Sequence, residues 1–290
     1  MKKKTGLIIL AVLLVIGIIV AILLIHSNQQ KADQYQQAVQ MMDSGNPDKA
    51  YRLFRQLGNY RDSENQAARI VSSDPLLVYR IAEKDDTVSF GHWEQDNDPD
   101  NGPEPIDWIV LDKIDGRLLL ISSPCLAGMA YHTEPFTPVT WETCSLREWL
   151  NNAFLSSAFT EEEQAWIPMV TNENPDHSIV ETPGGKDTQD KVFLLCERDT
   201  VIYLKSDSDR EAIGKASATA YAAANGLQTN EEGLASWWLR SPGMYEYIAQ
   251  YVDQDGAPYI NGASIDIDYF CGVRPVIWLD TNNPSEGGQP

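Results

Sequence analysis

The most sharply patterned stretch of the chain is Trp237-Trp238-Leu239-Arg240-Ser241-Pro242-Gly243, and it is matched further along by Gly272-Val273-Arg274-Pro275-Val276. Both stretches are rich in the aromatic and β-branched residues that favour strands. They predict strands over residues 236–240 and 272–279, and a third apolar run predicts a strand over residues 248–252 between them. The end of the chain is therefore expected to form a sheet.

Upstream, the periodicity predicts short strands mixed with helices. The runs Ile106–Leu111 and Arg117–Ser122 flank Asp115-Gly116, a dipeptide typical of tight turns, so we expect a hairpin. Ser145 and Thr160 are residues that favour helix N-caps. The full set comprises strands over residues 86–90, 106–111, 117–122 and 191–196, and helices over residues 141–158, 160–166 and 207–226.

Two further stretches are patterned, and with the first pair they carry a resemblance. They are Phe90-Gly91 with Gln95, leading into Pro105-Ile106 and Trp108, and Trp141-x-x-Cys144-Ser145-x-Arg147-x-Trp149-Leu150-Asn151. From Val88 to Leu279 the chain resembles an uncharacterised extracytoplasmic family, common in Gram-positive anaerobes and known only as a domain of unknown function. More distantly, W-W-L-R-S-P and G-V-R-P are similar to the C-type-lectin-like fold of the formylglycine-generating enzymes. The resemblance implies an α+β head over residues 80–280, with small antiparallel sheets, two or more flanking helices and long loops. It implies no reaction.

The N-terminal region predicts a membrane anchor. The run Leu7–Ile25 is apolar throughout and follows Lys2, Lys3 and Lys4. A helix over this run is about 28 Å long, close to the roughly 30 Å hydrocarbon core of a bilayer. The positive-inside rule then keeps residues 1–6 in the cytoplasm and places the rest outside the cell. A cleaved signal peptide is the alternative, but its apolar core is usually shorter and a small-residue cleavage site follows it.

Residues 26–73 have the helical periodicity of a stalk. Gly45-Asn46-Pro47 and Gly58-Asn59-Tyr60 interrupt it, and Pro47 is well placed in a first helical turn. Ala38 and Ala50 are small enough for a close helix crossing, so the segment resembles a tetratricopeptide-type repeat. A single repeat cannot bury its own apolar face, which favours a stalk over a peptide-binding groove.

Composition restricts the partners of the chain. With 22 Lys and Arg against 42 Asp and Glu, its formal net charge is −20. Such a field repels nucleic acid and favours cationic, basic or neutral ligands. Residues 281–290 are polar and rich in Gly and Pro, so we expect a disordered tail there.

The cysteines leave two alternatives open. Cys125, Cys144, Cys196 and Cys271 would all lie in an oxidising compartment, where four cysteines allow three disulfide pairings. Free buried cysteine is also common in apolar surroundings. No pairing is assigned.

The candidate ligand-binding residues are aromatic and basic side chains near the last strands. Trp237 and Trp238 are adjacent, so a strand directs them to opposite faces, and one of them could present its ring beside the nearby tyrosines. An arginine among apolar residues either holds a ligand or ties loops together, since an unpaired buried charge is very unfavourable. The candidates are Trp237, Trp238, Arg240, Tyr245, Tyr247 and Arg274. The structural alternatives are favoured, namely core packing for the aromatic cluster and the tying of loops for Arg147, Arg240 and Arg274.

A calcium site is a further hypothesis. Asp96, Asp98 and Asp100 alternate along one loop, and oxygen ligands at this spacing are typical of calcium loops. The sixth position of such a loop is Asn101 instead of Gly, which favours a solvated acidic turn. No other cofactor is expected.

Catalysis has little support in the sequence. The histidines His26, His92, His132 and His177 lack metal-site spacing, and no nucleophile elbow or phosphate-binding loop occurs. We therefore expect a membrane-anchored extracytoplasmic binding protein that recognises an envelope glycan, peptide or protein, and no enzyme. The alternatives are a scaffold that acts through the tetratricopeptide-like helices and an enzyme on a formylglycine-generating-enzyme-like fold.

Overall fold

A computed structural model describes residues 2–267 and 269–282 of the chain, and the side chains of residues 2–15 and of Ile18 fall outside this description. The chain divides into two compact units, Met1–Ile81 and Ala82–Pro290. We call the second unit the head. The predicted tail lies outside the described residues from position 283 onward. Thr281, in contrast, is buried, and its backbone N–H donates to Gly116 O at 2.9 Å, so this residue of the predicted tail is ordered.

The first unit is helical. Its helices are α1 (Lys2–Asp43), α2 (Pro47–Leu57), α3 (Ser63–Ser73) and α4 (Leu77–Ile81). α2 begins at Pro47, whose missing N–H costs nothing in a first turn. Ala38 and Ala50 are fully buried against Phe54, so small side chains allow α1 and α2 to pack closely.

The predicted anchor over residues 7–25 lies within α1, but most of its side chains are outside the description. Within the part of the chain that the structure describes, no helix has the length and apolar character that crossing a membrane requires.

The head is a mixed α+β unit. Its strands are β1 (Thr87–Trp93), β2 (Glu104–Ile114), β3 (Arg117–Ser122), β4 (Ala127–Gly128), β5 (Val170–Asn172), β6 (Thr188–Asp190), β7 (Val192–Phe193), β8 (Ala216–Ser217), β9 (Leu234–Ala235), β10 (Trp237–Pro242), β11 (Ile248–Val252), β12 (Pro258–Ser264), β13 (Gly272–Val273) and β14 (Val276–Asp280). Its helices are α5 (Ser145–Trp149), α6 (Leu155–Ala158), α7 (Glu161–Trp166), α8 (Glu197–Tyr203), α9 (Asp207–Asp209) and α10 (Ala220–Ala224), with π-helical turns at Leu150–Phe154 and Arg210–Gly214.

The strands form two five-stranded sheets, ordered β1-β2-β3-β14-β7 and β12-β11-β10-β13-β4, and two short ladders, β5-β6 and β8-β9. Neighbouring strands are antiparallel, apart from β10 and β13, which are parallel. The expected α+β class with small antiparallel sheets is therefore confirmed. β2 and β3 form the predicted hairpin, in which Asp115 and Gly116 have φ values of 51° and 76°, as a type I′ turn requires.

The last predicted strand is wrong as a single element. Arg274-Pro275 interrupts it, so β13 pairs in the second sheet and β14 in the first. Proline has no N–H to donate to a ladder, and Pro275 instead accepts a hydrogen bond from Ser122 N at 3.0 Å. One short segment thereby connects the two sheets of the head.

The predicted helix over residues 207–226 is also wrong as one element. It consists of α9, a π-helical turn, β8 and α10, because the backbone at Gly214 lies against Gly256. A Cβ at Gly214 would be 2.4 Å from Gly256 O, so glycine allows this close approach, and just beyond it β8 pairs with β9.

Two other predicted elements are shorter than expected. Only Val192 and Phe193 of the strand over residues 191–196 join a ladder, and α8 begins directly after this stretch, at Glu197. The helix predicted from Trp141 begins at Ser145, and its N-cap is Cys144, whose Sγ accepts from Arg147 N at 3.4 Å.

Candidate functional site

Trp237 and Trp238 are both fully buried, which corrects the expectation that one of their rings is open to a ligand. They lie on β10, the middle strand of the second sheet, and both faces of this strand are covered. The Trp237 indole N–H donates to Gly214 O at 2.8 Å, and the Trp238 N–H donates to Met129 O at 3.0 Å. Two distant segments thus cover the two rings.

Arg240 is also a buried residue, with 7% of its surface exposed. Its Nη1 donates to Leu194 O at 2.5 Å and to Asp199 Oδ2 at 3.1 Å, and its guanidinium lies 5.8 Å from the Phe193 ring centre. These contacts join β10 to the segment that leads into α8. They leave Arg240 no free path to a surface ligand.

Arg274 is buried completely and has no carboxylate partner among the described residues. Its Nε donates to Ser122 O at 2.7 Å, its Nη1 donates to Ile213 O, and its guanidinium lies 5.1 Å from the Trp237 ring centre. Burial lowers the Arg274 pKa to about 10. A surface ligand at Arg240 or Arg274 is therefore excluded by burial, and both arginines connect chain segments, as Arg147 does by binding buried Asp190 at 2.6 Å.

Tyr245 and Tyr247 are the two predicted candidates that reach solvent. Their side chains are 56% and 37% exposed, and their rings are nearly parallel, with centres 5.7 Å apart and planes 6° apart. Both lie in the turn between β10 and β11, which Gly243 closes by donating its N–H to Ile248 O at 2.7 Å. A Cβ at Gly243 would lie 2.5 Å from the Ile248 side chain, so glycine allows this tight turn.

Phe136 joins the two tyrosines, although the sequence analysis did not select it. Its ring is 75% exposed and meets the Tyr247 ring edge-on, with centres 6.2 Å apart. The backbone φ of Phe136 is +53°, a left-handed conformation that is unfavourable for a bulky residue. Val139 N donates to Glu246 O at 2.9 Å and ties this loop to the tyrosine turn. A signal was available in Pro135-Phe136-Thr137-Pro138, where two prolines flank an apolar ring in a polar loop.

We call Phe136, Tyr245 and Tyr247 the aromatic surface. The two segments that carry it, residues 133–138 and 243–247, contain Glu134 and Glu246, both exposed, and no Lys or Arg. Exposed aromatic rings offer flat apolar faces, and ring faces also attract cations. The arrangement therefore suits a neutral or cationic ligand better than an anionic one.

The predicted calcium residues do not converge. The Asp96 carboxylate accepts from Asp98 N at 2.8 Å and from the Asn101 side chain at 2.8 Å, and Asp98 accepts from Asp100 N at 3.2 Å. These bonds shape an acidic turn. Among the described residues, the carboxylates close enough to share a cation are instead those of Glu94, Asp96 and Glu104, which corrects the roles expected of Asp98 and Asp100.

The four cysteines are free and buried, so the disulfide alternative is not realised in this structure. Burial raises the pKa of the Cys125 and Cys144 thiols to about 12, and it raises those of Cys196 and Cys271 as well. A thiol in this state is a poor nucleophile, because the thiolate is the reactive form.

The fold and the site define an α+β domain with small antiparallel sheets and an exposed aromatic surface. Residues 115–281, more than half of the chain, match the family described as a domain of unknown function, DUF6273. The protein belongs to this family. The matched region contains the aromatic surface and both arginine-containing stretches, whereas β1 and β2 precede it. No curated protein and no solved structure matches the chain.

Proposed function

We propose that this protein is a membrane-anchored binding protein whose head recognises an envelope glycan through the aromatic surface. The observation that carries the proposal is the exposed, parallel pair Tyr245 and Tyr247, extended by Phe136. Sugar rings have apolar faces of C–H groups that stack on such flat rings. The aromatic body gives contact area at low entropic cost, because a tyrosine ring has few rotatable bonds.

The strained backbone of Phe136 supports the same proposal. A left-handed φ at a bulky residue is unfavourable by about 1–3 kcal/mol, and such residues concentrate at binding sites. The ring gains little from the fold in return, because three quarters of it is exposed. A role in contacting a ligand accounts for a ring held in this position.

The lectin-like part of the proposal has support in the sheet order. Trp237 on β10 pairs with Gly272 on β13, so the two arginine-containing stretches lie side by side. The resemblance to the C-type-lectin-like fold rests on these two stretches, so their pairing supports it. The tetratricopeptide-like helices of the first unit act as a stalk in this proposal.

The membrane anchor is supported by the apolar run Leu7–Ile25 behind three lysines. The large apolar side chains described between Ile16 and Ile25 are 48–70% exposed, and such a set is favourable in contact with lipid. Anchoring would confine the head to the membrane surface and raise its effective concentration for envelope ligands. Protease added to intact cells should then remove the head, whereas a head digested only after lysis would contradict this topology.

The binding test uses the full chain in lipid nanodiscs and a panel of cell-wall glycan fragments, measured by isothermal titration. We expect Tyr245→Ala and Tyr247→Ala each to lower the affinity for the tightest-binding glycan at least tenfold, which corresponds to about 1.4 kcal/mol. Tyr259→Ala is the matched control, because Tyr259 is 44% exposed but packs against Tyr251 with tilted rings, outside the aromatic surface. Chelation of calcium should leave the affinity unchanged.

Three results would contradict the proposal. One is a glycan whose affinity is equal in the wild type and in both tyrosine variants. The second is a panel without any binder. The third is binding only of peptides or proteins, which would transfer the function to the alternative ligand class that the sequence left open.

A further inference from the structure

A second concave region of the head lies away from the aromatic surface. It is a cavity of ≈ 580 Å³, a size typical of small-molecule sites. Its walls come from β2, from the segment after β3, from the π-helical turn Arg210–Gly214 and from the β8–β9 ladder. None of the aromatic-surface residues lines it. Gln95, after β1, lines it as well, so the walls come from segments far apart in the chain and the cavity belongs to the folded head and not to one loop.

Part of the cavity wall is apolar. Ile109 on β2, Leu234 on β9 and Pro124 after β3 contribute this part. Ile109 and Leu234 are half-buried, so their side chains are neither in the core nor free in solvent. An alkyl chain that entered here would remove apolar surface from water, which favours binding.

The charged residues of the cavity are mostly acidic. Asp107, Glu211 and Glu232 face a single ammonium, that of Lys215. Lys215 Nζ lies 2.8 Å from Glu211 Oε2, so that pair neutralises itself. The Asp107 carboxylate accepts a hydrogen bond from Ser89 Oγ at 2.6 Å, which leaves its charge in place. Among the described residues, neither Asp107 nor Glu232 has a basic side chain within 4.0 Å, and the cavity keeps two uncompensated negative charges.

The pKa of Lys215 indicates that the electrostatic potential in the cavity is negative. Its pKa is raised, chiefly by the hydrogen bond to Glu211, and the charges of Glu211, Glu232 and Asp255 raise it further. Carboxylates that stabilise the Lys215 ammonium will also stabilise a second ammonium placed among them. An apolar wall beside an acidic one is complementary to an alkyl chain that ends in an amine.

We propose that this cavity binds a primary alkylammonium group, with the ammonium at Asp107 and Glu232 and the alkyl chain against Ile109 and Leu234. A free diamine and the side chain of a lysine residue share this chemistry. This site is independent of the aromatic surface, so the two can be tested separately.

The decisive comparison is between n-pentylamine, which is protonated at neutral pH, and 1-pentanol, which has the same chain without the charge. Binding to the full chain in a neutral maltoside detergent is followed by saturation-transfer NMR, with detergent alone as the blank. We expect the amine to bind at least tenfold more tightly than the alcohol. Equal affinities would overturn the proposal, because apolar contact alone would then explain binding.

Two variants of opposite sign locate the site. Glu232→Gln removes one attractive charge and should weaken amine binding about fivefold, as expected for one charge about 4 Å from the ammonium with water-like screening. Lys215→Gln removes the competing ammonium and should raise the affinity for the amine by a similar factor. Neither change should affect 1-pentanol, and the amine should bind Tyr245→Ala as it binds the wild type.

Glu181→Gln is the control for net charge, because Glu181 is exposed and does not line the cavity. If Glu181→Gln lowers the affinity for the amine as much as Glu232→Gln does, the effect comes from the net charge of the protein and the proposed site is refuted. Failure of Lys215→Gln to strengthen binding refutes it too. 1,5-Diaminopentane and Nα-acetyl-lysine amide then distinguish the two sources: preference for either one supports the proposal, and binding of neither overturns it.

Discussion

The left-handed conformation of Phe136 predicts that the usual order of stability of alanine and glycine variants is reversed at this position. At an ordinary position, alanine is more favourable than glycine by about 0.5–1 kcal/mol, because glycine loses more freedom on folding. At a φ of +53° an L-residue is unfavourable by about 1–2 kcal/mol, whereas glycine adopts this conformation freely. Phe136→Gly should therefore be more stable than Phe136→Ala, by about 0.5–1 kcal/mol after the two effects are combined.

The comparison of the two variants isolates the backbone term. Both remove the ring, so the edge-on contact with Tyr247 is lost equally and cancels. The ring itself is only one quarter buried, which keeps the remaining packing term small. What differs between the variants is the Cβ of alanine at a left-handed φ.

Urea unfolding of the full chain, followed by tryptophan fluorescence, measures this difference. All eight tryptophans lie in the head, from Trp93 onward, so the signal reports that unit alone. Val201 is the matched control, since it is 69% exposed but lies in helix α8. There we expect Val201→Ala to be more stable than Val201→Gly by about 1 kcal/mol.

An equal or greater stability of Phe136→Ala, with the control behaving normally, would refute the argument. It would mean that the loop relaxes without cost and that no strain holds the ring outward. In the glycan titration, both Phe136 variants should lose affinity, and the more stable Phe136→Gly should not regain it. Affinity that followed stability would contradict a contact role for this ring.

Two further predictions concern ionisation. Hydrogen bonds from Tyr35 and then Gln66 hold the pKa of Asp62 below its usual value, so the stability that this carboxylate contributes is present above about pH 4 and is lost as the pH falls through the lowered pKa. Hydrogen exchange of the first unit should therefore accelerate at acidic pH less in Asp62→Asn than in the wild type, and equal acceleration would contradict the link. The pKa values of the Cys125 and Cys144 thiols are about 12, so at pH 8 few of these thiols are ionised. In the native protein they should therefore react with iodoacetamide on the order of a thousandfold more slowly than in urea, as followed by mass spectrometry. Fast labelling of the native protein would show that burial does not protect them.

The elements that the sequence predicts well are those with local causes. The β2–β3 hairpin follows from Asp115-Gly116, and α7 follows from Thr160, which caps it by accepting from Glu163 N at 3.2 Å. The start of α2 follows from Pro47. In each case the deciding residues lie within a few positions of the element. No distant contact is needed to form it.

The elements that the sequence misses have distant causes. The alanine-rich segment 216–224 has strong helix propensity, yet β8 takes its first residues because Ala216 pairs with Ala235. Helix propensity is a weak preference that one ladder overrides. The same reason explains the split of the last strand, where Arg274-Pro275 carries the chain from one sheet to the other.

The candidate site was predictable in part. Tyr245 and Tyr247 were selected for their aromatic character, and their exposure follows from the turn at Pro242-Gly243. The burial of Trp237 and Trp238 could not be inferred, because it depends on Gly214 and Met129, far away in the chain. A strand pattern fixes which face a side chain takes, but it does not tell what covers that face.

The buried Arg274 supports the backbone next to the acidic cavity. Arg274 donates to Ser122 O and to Ile213 O, and the next residues outward, Ser123 and Ala212, line the acidic cavity. A guanidinium that is fully buried and bonded to two carbonyls is rigid, so it fixes the separation of two cavity walls without touching a ligand. The arginine-containing stretches therefore act through the backbone they hold, and both proposals assign contact with ligands to side chains on the turns and edges around them.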